Sequence, residues 1–178
     1  AVFLLGACGP ETTSFRTTDR GDGTERGGPG AAAYDLRLAD ASANVHVWSN
    51  GGYIGSTDEP MTHVGFEIQN KGTSSLAFDA TGLSFVPFDK HGRPLPAGMF
   101  VAVTPLGPSF VPVPAGETVD LDAYFRMSVR PRVVDHMQVH WVLRSGDSRH
   151  EEVTSFTRSD DYPVIEPAPR LDPTAPGA

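Results

Sequence analysis

The sequence predicts an all-β protein that folds as a sandwich of two sheets. Large apolar residues recur at every second position in several segments, which is the spacing of a strand with one buried face. The clearest are 62–70, 119–126 and 136–143. Gly, Pro, Asn and Asp separate these segments at short intervals, as turns do in sandwich domains. No window shows the sustained 3.6-residue period of an amphipathic helix.

Turn and strand signals together predict seven to nine strands. The segments with strand character are 32–38, 45–48, 62–70, 76–78, 83–88, 99–103, 119–126, 136–143 and 150–157. Asp89-Lys90-His91-Gly92 predicts a tight hairpin turn, because glycine adopts positive φ without strain. The stretch 105–114 is too rich in proline for a central strand. Short, unevenly spaced strands favour a sandwich over a small closed barrel.

Composition divides the chain into four parts. Residues 1–8 form an apolar run that ends in a cysteine, and residues 9–31 are rich in Gly, Thr and charge. Such a composition buries too little apolar surface to offset chain entropy, so 9–31 is predicted to be a flexible tether. The sandwich is predicted over residues 32–160. The remaining 161–178, with five prolines, is predicted to be a disordered tail.

Charge and cysteine content exclude several classes. The net charge of −8 and the scattered basic residues argue against a nucleic-acid partner, which requires a basic face. A single cysteine excludes an internal disulfide, and with it a true antibody-type domain.

Residues 5–8, Leu-Gly-Ala-Cys, resemble the lipobox that ends the signal peptides of bacterial lipoproteins. The resemblance implies that Cys8 carries a diacylglyceryl group that anchors the protein in the cell envelope. The preceding seven apolar residues are too few to cross a bilayer, which takes about 20. They are therefore expected to be the remnant of a signal peptide. In lipoproteins, Asp after the cysteine favours the inner membrane; Gly9 in that place favours the outer membrane.

The order of strands and turns is similar to that of immunoglobulin-like domains in secreted and lipid-anchored bacterial proteins, including DUF4352-type sandwiches. The likeness covers roughly residues 40–145 and rests on turn spacing and hydrophobic rhythm. Its markers are the turn 70–73, the strand 83–89 and the turn 114–118 before the strand to Phe125. It implies an immunoglobulin-like fold and an envelope location.

Metal and catalytic motifs are weak throughout. His136 and His140 share one face of a strand but lie about 13 Å apart, too far to bind one ion. His63 could join them only if its strand were adjacent. Asp120 and Asp122 share a face and leave calcium open, although a solvated acidic face explains them equally well. No metal site and no cofactor are therefore predicted.

Nucleophilic catalysis would require a motif such as Gly-x-Ser-x-Gly, which is absent. Glu151 and Glu152 are neighbours on a strand and face opposite sides, unlike a glycosidase pair. The sequence predicts no enzyme.

Aromatic residues supply the candidate contact surface. Trp141 lies on the apolar phase of its strand and is predicted to be buried between the sheets. Trp48 lies on the polar phase of its strand, and Tyr53 lies in the Gly-rich stretch 49–55. Both are predicted to be exposed, where an aromatic ring can contact a partner.

The function predicted from these observations is that of a non-enzymatic envelope lipoprotein. Its immunoglobulin-like domain would serve as an interaction module for another envelope protein, with the lipid anchor in the membrane. Two alternatives remain open. One is a metal- or small-ligand-binding lipoprotein of the periplasm, and the other is an accessory domain of a secreted hydrolase system.

Overall fold

The computed structural model describes residues 11–18, 31–38, 41–55, 57–104 and 109–160, with side chains described at all of these positions except 102–104. In those ranges it contains twelve strands and two 3-10 helices, Ala80–Gly82 and Pro131–Val133. The strands are β1 (Thr12–Thr13), β2 (Phe15–Thr17), β3 (Ala32–Leu38), β4 (Ala41–Ile54), β5 (Pro60–Asn70), β6 (Leu76–Asp79), β7 (Ser84–Phe88), β8 (Met99–Thr104), β9 (Phe110–Val113), β10 (Thr118–Arg126), β11 (His136–Ser145) and β12 (Ser148–Arg158).

The strands form two antiparallel sheets, and the predicted immunoglobulin-like sandwich is confirmed. Sheet I has the order β1-β4-β5-β10-β8, with β3 also paired to β4. Sheet II has the order β2-β12-β11-β6-β9, with β7 also paired to β11. Consecutive strands often lie in different sheets, so the chain crosses repeatedly between them, as sandwich topologies require.

The core lies between the two sheets and is built from the alternating residues that the sequence marks. Leu121, Phe125, Val139 and Leu143 are fully buried, as predicted. Trp141 is also fully buried, and its ring lies 6.1 Å from that of Phe66 on the opposite sheet. The predicted inward faces of β10 and β11 are therefore confirmed.

The prediction of a flexible tether over 9–31 is wrong for residues 11–18. Thr12 and Thr13 pair with Tyr53 and Gly52 in sheet I, and β2 pairs with β12 in sheet II. Phe15, the only large apolar residue of this segment, is buried in the core. The sandwich therefore begins at the first described residues and not at 32. Cys8, residues 19–30 and the tail 161–178 lie outside the described residues.

The hairpin predicted at Asp89–Gly92 is present, and Gly92 has φ 73°. The Asp89 carboxylate accepts hydrogen bonds from the backbone N–H of His91 at 2.8 Å and from Arg93 Nε at 2.8 Å. The hydrogen bond with the Arg93 side chain is the main cause that lowers the pKa of Asp89 to about 2. The turn is thus held by an ionised carboxylate.

Asp89→Asn is expected to lower the stability of the protein near neutral pH and to have progressively less effect in acid. The pKa of the carboxyl is about 3.8 in the unfolded chain and about 2 in the folded protein. The stabilisation that its charge provides is therefore complete above about pH 3.8. This stabilisation is lost as the pH falls through the folded pKa of about 2. Urea unfolding of both proteins from about pH 6 to about pH 2.5 measures this. A difference that does not change with pH would contradict it.

Candidate functional site

The two predicted contact residues lie on the face of sheet I that points away from sheet II, here called the outer face. Trp48 follows the core residue Val47 on β4 and therefore points outward. Tyr53 pairs with Met61, which pairs in turn with Arg126 on β10. Trp48 and Tyr53 therefore lie on the same outer face of sheet I.

Trp48 is only 3% exposed, so the prediction of an exposed ring is wrong. The residue opposite it on β5 is Gly65, which has no side chain. A Cβ atom on Gly65 would lie 2.2 Å from Trp48 Cε2, so the indole lies directly against the β5 backbone. The glycine creates a slot on the outer face that the tryptophan fills.

The Gly-rich stretch 49–55 is strand as far as Ile54 and not loop, which is a second correction. Between Trp48 and Gly51 the pairing with β5 shifts at a β-bulge. Ser49 Oγ donates to the carbonyl of His63 at 2.8 Å and accepts from the backbone N–H of Gly51 at 3.0 Å. The bulge re-aims the strand so that Tyr53 returns to the outer face. Tyr53 is half-buried there, and burial raises the pKa of its hydroxyl.

His63 is the central polar residue of the outer face and is almost fully buried. Its Nε2 donates to Asp122 Oδ1 at 2.9 Å, since a carboxylate only accepts. Its Nδ1 accepts from the backbone N–H of Asn50 in the bulge at 3.4 Å. The ring also lies 5.2 Å from that of Tyr124. Because both ring nitrogens are engaged, His63 serves to join β4, β5 and β10.

The histidines suggested as metal ligands are not brought together. His63 lies in sheet I, whereas His136 and His140 lie in sheet II. Of the two aspartates considered for calcium, Asp122 accepts a hydrogen bond from His63. Asp120 is exposed on the same face, opposite Glu67 on β5. Across the described residues, no three His, Cys, Asp or Glu side chains are placed to hold one metal ion.

The strongest exposed apolar feature is strand β8, which forms one border of sheet I. Met99 is 57% exposed and Val101 is 45% exposed. β8 pairs with β10 on one side, with a register shift opposite Val101. In the described part no other strand pairs with β8, and a single bridge joins Gly98, the residue before it, to Phe85 of β7. The β8 edge, meaning residues 99–101 and their open side, was predicted as a strand, but its position at a border has no signal in the sequence.

Other borders of the two sheets carry features that discourage pairing with another protein. β1 and β2 are very short, β7 and β9 contain Pro87 and Pro112, and β3 carries Asp35 and Arg37. Short length, proline and charge are the usual means by which natural proteins protect a sheet edge. β8 has six residues and neither proline nor charge. Among the described borders it is the one best suited to receive another strand.

Sheet II has an open groove of about 260 Å³ on its outer side. Val142 forms part of its lining, and Gly82 leaves room above because a Cβ there would lie 2.6 Å from Val142 Cγ2. One wall carries the ion pair between Arg149 and Glu151, whose nitrogen and oxygen are 3.0 Å apart. Glu152 also lines the groove, and its Oε2 lies 3.4 Å from His150 Nε2.

No helix within the described residues is both long enough and apolar enough to cross a membrane.

Comparisons with known proteins give only distant structural similarity. No protein family and no curated protein matches the sequence. Among solved structures, a FixG-related protein from Vibrio parahaemolyticus is 13% identical, with a TM-score of 0.41 over 65% of this chain and 94% of that one. A target of the Northeast Structural Genomics Consortium is 10% identical, with a TM-score of 0.36 over 72% and 94% of the two chains. Neither likeness bears on function.

Proposed function

We propose that the protein is a non-enzymatic lipoprotein of the cell envelope, anchored through Cys8, whose sandwich binds another envelope protein. The observation that carries the proposal is the β8 edge, where exposed Met99 and Val101 lie on a border strand of sheet I that has neither proline nor charge. An edge of this kind can add a strand from a second protein, which supplies main-chain hydrogen bonds and apolar contacts.

The resemblance of residues 5–8 to a lipobox supports the anchor. Two or more acyl chains hold a protein on a bilayer far more firmly than one chain does. A small domain fixed at the membrane meets other envelope proteins at high local concentration, so a modest edge contact is sufficient for binding. The outer membrane is the proposed location.

Cys8→Ser is expected to move the protein from the membrane fraction to the soluble fraction, because the serine hydroxyl cannot receive the thioether-linked lipid. The precursor with its whole signal peptide is expressed, and the membranes are washed with salt before immunoblotting. Ala7→Gly keeps a small residue before the cysteine and is the control expected to remain bound. Retention of Cys8→Ser after the wash would contradict the anchor.

The same cells test the partner. A photo-crosslinking amino acid at Val101 is expected to give a discrete adduct with one envelope protein, provided that Cys8 is intact. The matched position is Val153, an apolar residue of β12 in sheet II that is 36% exposed. Adducts of equal yield from both positions would contradict a specific contact at the β8 edge.

A further inference from the structure

The corrected start of the sandwich changes where the domain lies relative to the anchor. Glu11 is the third residue after Cys8, so at most about 11 Å of extended chain separates their Cα atoms. β1 begins at the next residue, Thr12. A lipid on Cys8 would therefore hold this end of the sandwich, here called the anchor-proximal end, directly against the membrane surface.

The anchor-proximal end is formed by β1 and the 3-10 helix Pro131–Val133. The Glu11 carboxylate joins them, since it lies 3.0 Å from Arg130 Nη1 and 3.8 Å from Arg132 Nε. Both guanidiniums remain largely open to solvent, at 51% and 71% exposed. Val133 follows Arg132 in the sequence and is also exposed, whereas the next residue, Val134, is buried in the core. Basic and apolar side chains thus lie together beside the attachment point.

Charge at this end differs from that of the whole chain. Two more arginines join Arg130 and Arg132 here. Arg158 donates to the carbonyl of Pro131 at 3.3 Å, and Arg16 on β2 lies opposite Thr157 on β12. The four arginines at this end are Arg16, Arg130, Arg132 and Arg158. The carboxylates at the same end are equal in number: Glu11, Asp58, Asp135 and Asp160. The ion pair of Arg126 with Glu59 adds no net charge, so this end is balanced. The chain as a whole carries −8, so the remainder of the protein is strongly acidic.

We propose that the anchor-proximal end docks on the bilayer, with Arg130 and Arg132 bound to the phosphates of lipid headgroups and Val133 placed in the interfacial region. Guanidinium groups bind phosphate oxygens in a planar, two-point arrangement. Anionic lipids attract juxtamembrane arginines, and the acidic remainder is repelled from the same surface. The proposal rests on the lipid anchor of the proposed function and adds an orientation, in which sheets I and II stand upright on the membrane.

The single cysteine allows a direct test with the whole chain. ¹⁵N-labelled protein is coupled at Cys8 to a maleimide-bearing lipid in vesicles of phosphatidylcholine and phosphatidylglycerol, with a gadolinium chelate on some headgroups. Amide signals of residues 130–133 are expected to broaden strongly. Signals of 145–148, the hairpin between β11 and β12 at the opposite end, are expected to stay sharp. Equal broadening at both ends would overturn the proposal.

Arg132→Glu is expected to reduce the broadening at 130–133 about twofold or more, because like charges repel at an anionic surface. Arg149→Glu, the same change on an exposed arginine near the far hairpin, is the control expected to have no effect. Equal loss in both variants would indicate only a change of net charge and would also overturn the proposal. Chemical coupling bypasses cellular lipidation. This experiment therefore tests the orientation on the membrane separately from the lipid anchor, which Cys8→Ser tests.

Discussion

Replacing Trp141 by alanine is expected to lower the free energy of unfolding by about 3–5 kcal/mol, because the ring is fully buried and leaves a large cavity. The indole packs edge-on against Tyr34 and Phe66, at centroid distances of 5.4 and 6.1 Å. Its Nε1 also donates to Thr154 Oγ1 at 3.0 Å, inside the core. A loss of this size is comparable with the whole stability of many small domains.

Urea unfolding measures the effect of Trp141→Ala, and Trp141→Phe separates its causes. Phenylalanine retains most of the apolar contact but removes the hydrogen bond to Thr154, so a smaller loss of about 1–2 kcal/mol is expected. Thr154 keeps one partner in that variant, since its Oγ1 lies 2.9 Å from Tyr34 Oη. A cost below about 1 kcal/mol for Trp141→Ala would contradict the burial of the ring.

The position of Trp141 could be predicted because hydrophobic alternation identifies the apolar phase of a strand. The same rule fails for Trp48. It assumes that the other phase of a strand faces water, and here a glycine on the neighbouring strand makes a slot on the outer face. A glycine inside a strand signals a close approach of another group, so Gly65 in Val64-Gly65-Phe66 was the available indication. Its partner could not be inferred without the pairing of β4 with β5.

Pairing also explains what else the sequence leaves undetermined. The contact of His63 with Asp122 depends on the adjacency of β5 and β10. The 47 residues of chain between these strands cross to the other sheet and back twice. The open side of β8 depends on its place at the border of sheet I. β1 and β2 are too short to show a period, and only Phe15 indicated that their segment has a buried side.

The slot at Gly65 leads to the second large effect. Gly65→Ala is expected to destabilise the protein by about 1–3 kcal/mol, because the new methyl group would occupy the space of the Trp48 ring. The indole must then move away from β5 or the strands must separate. Trp48→Ala alone is expected to cost about 3–5 kcal/mol, as for other buried tryptophans.

The double variant distinguishes this cause from an effect on the backbone. Once Trp48 is alanine, the slot is empty, and Gly65→Ala should be neutral or stabilising, since alanine suits a strand interior better than glycine. The coupling free energy of the two substitutions is therefore expected to be about 1–3 kcal/mol, as for residues in direct contact. Chemical unfolding of the four proteins gives this value. If Gly65→Ala cost the same in both backgrounds, the strain would lie in the backbone of β5, and the outer face would owe its shape to something other than the fit of tryptophan against glycine.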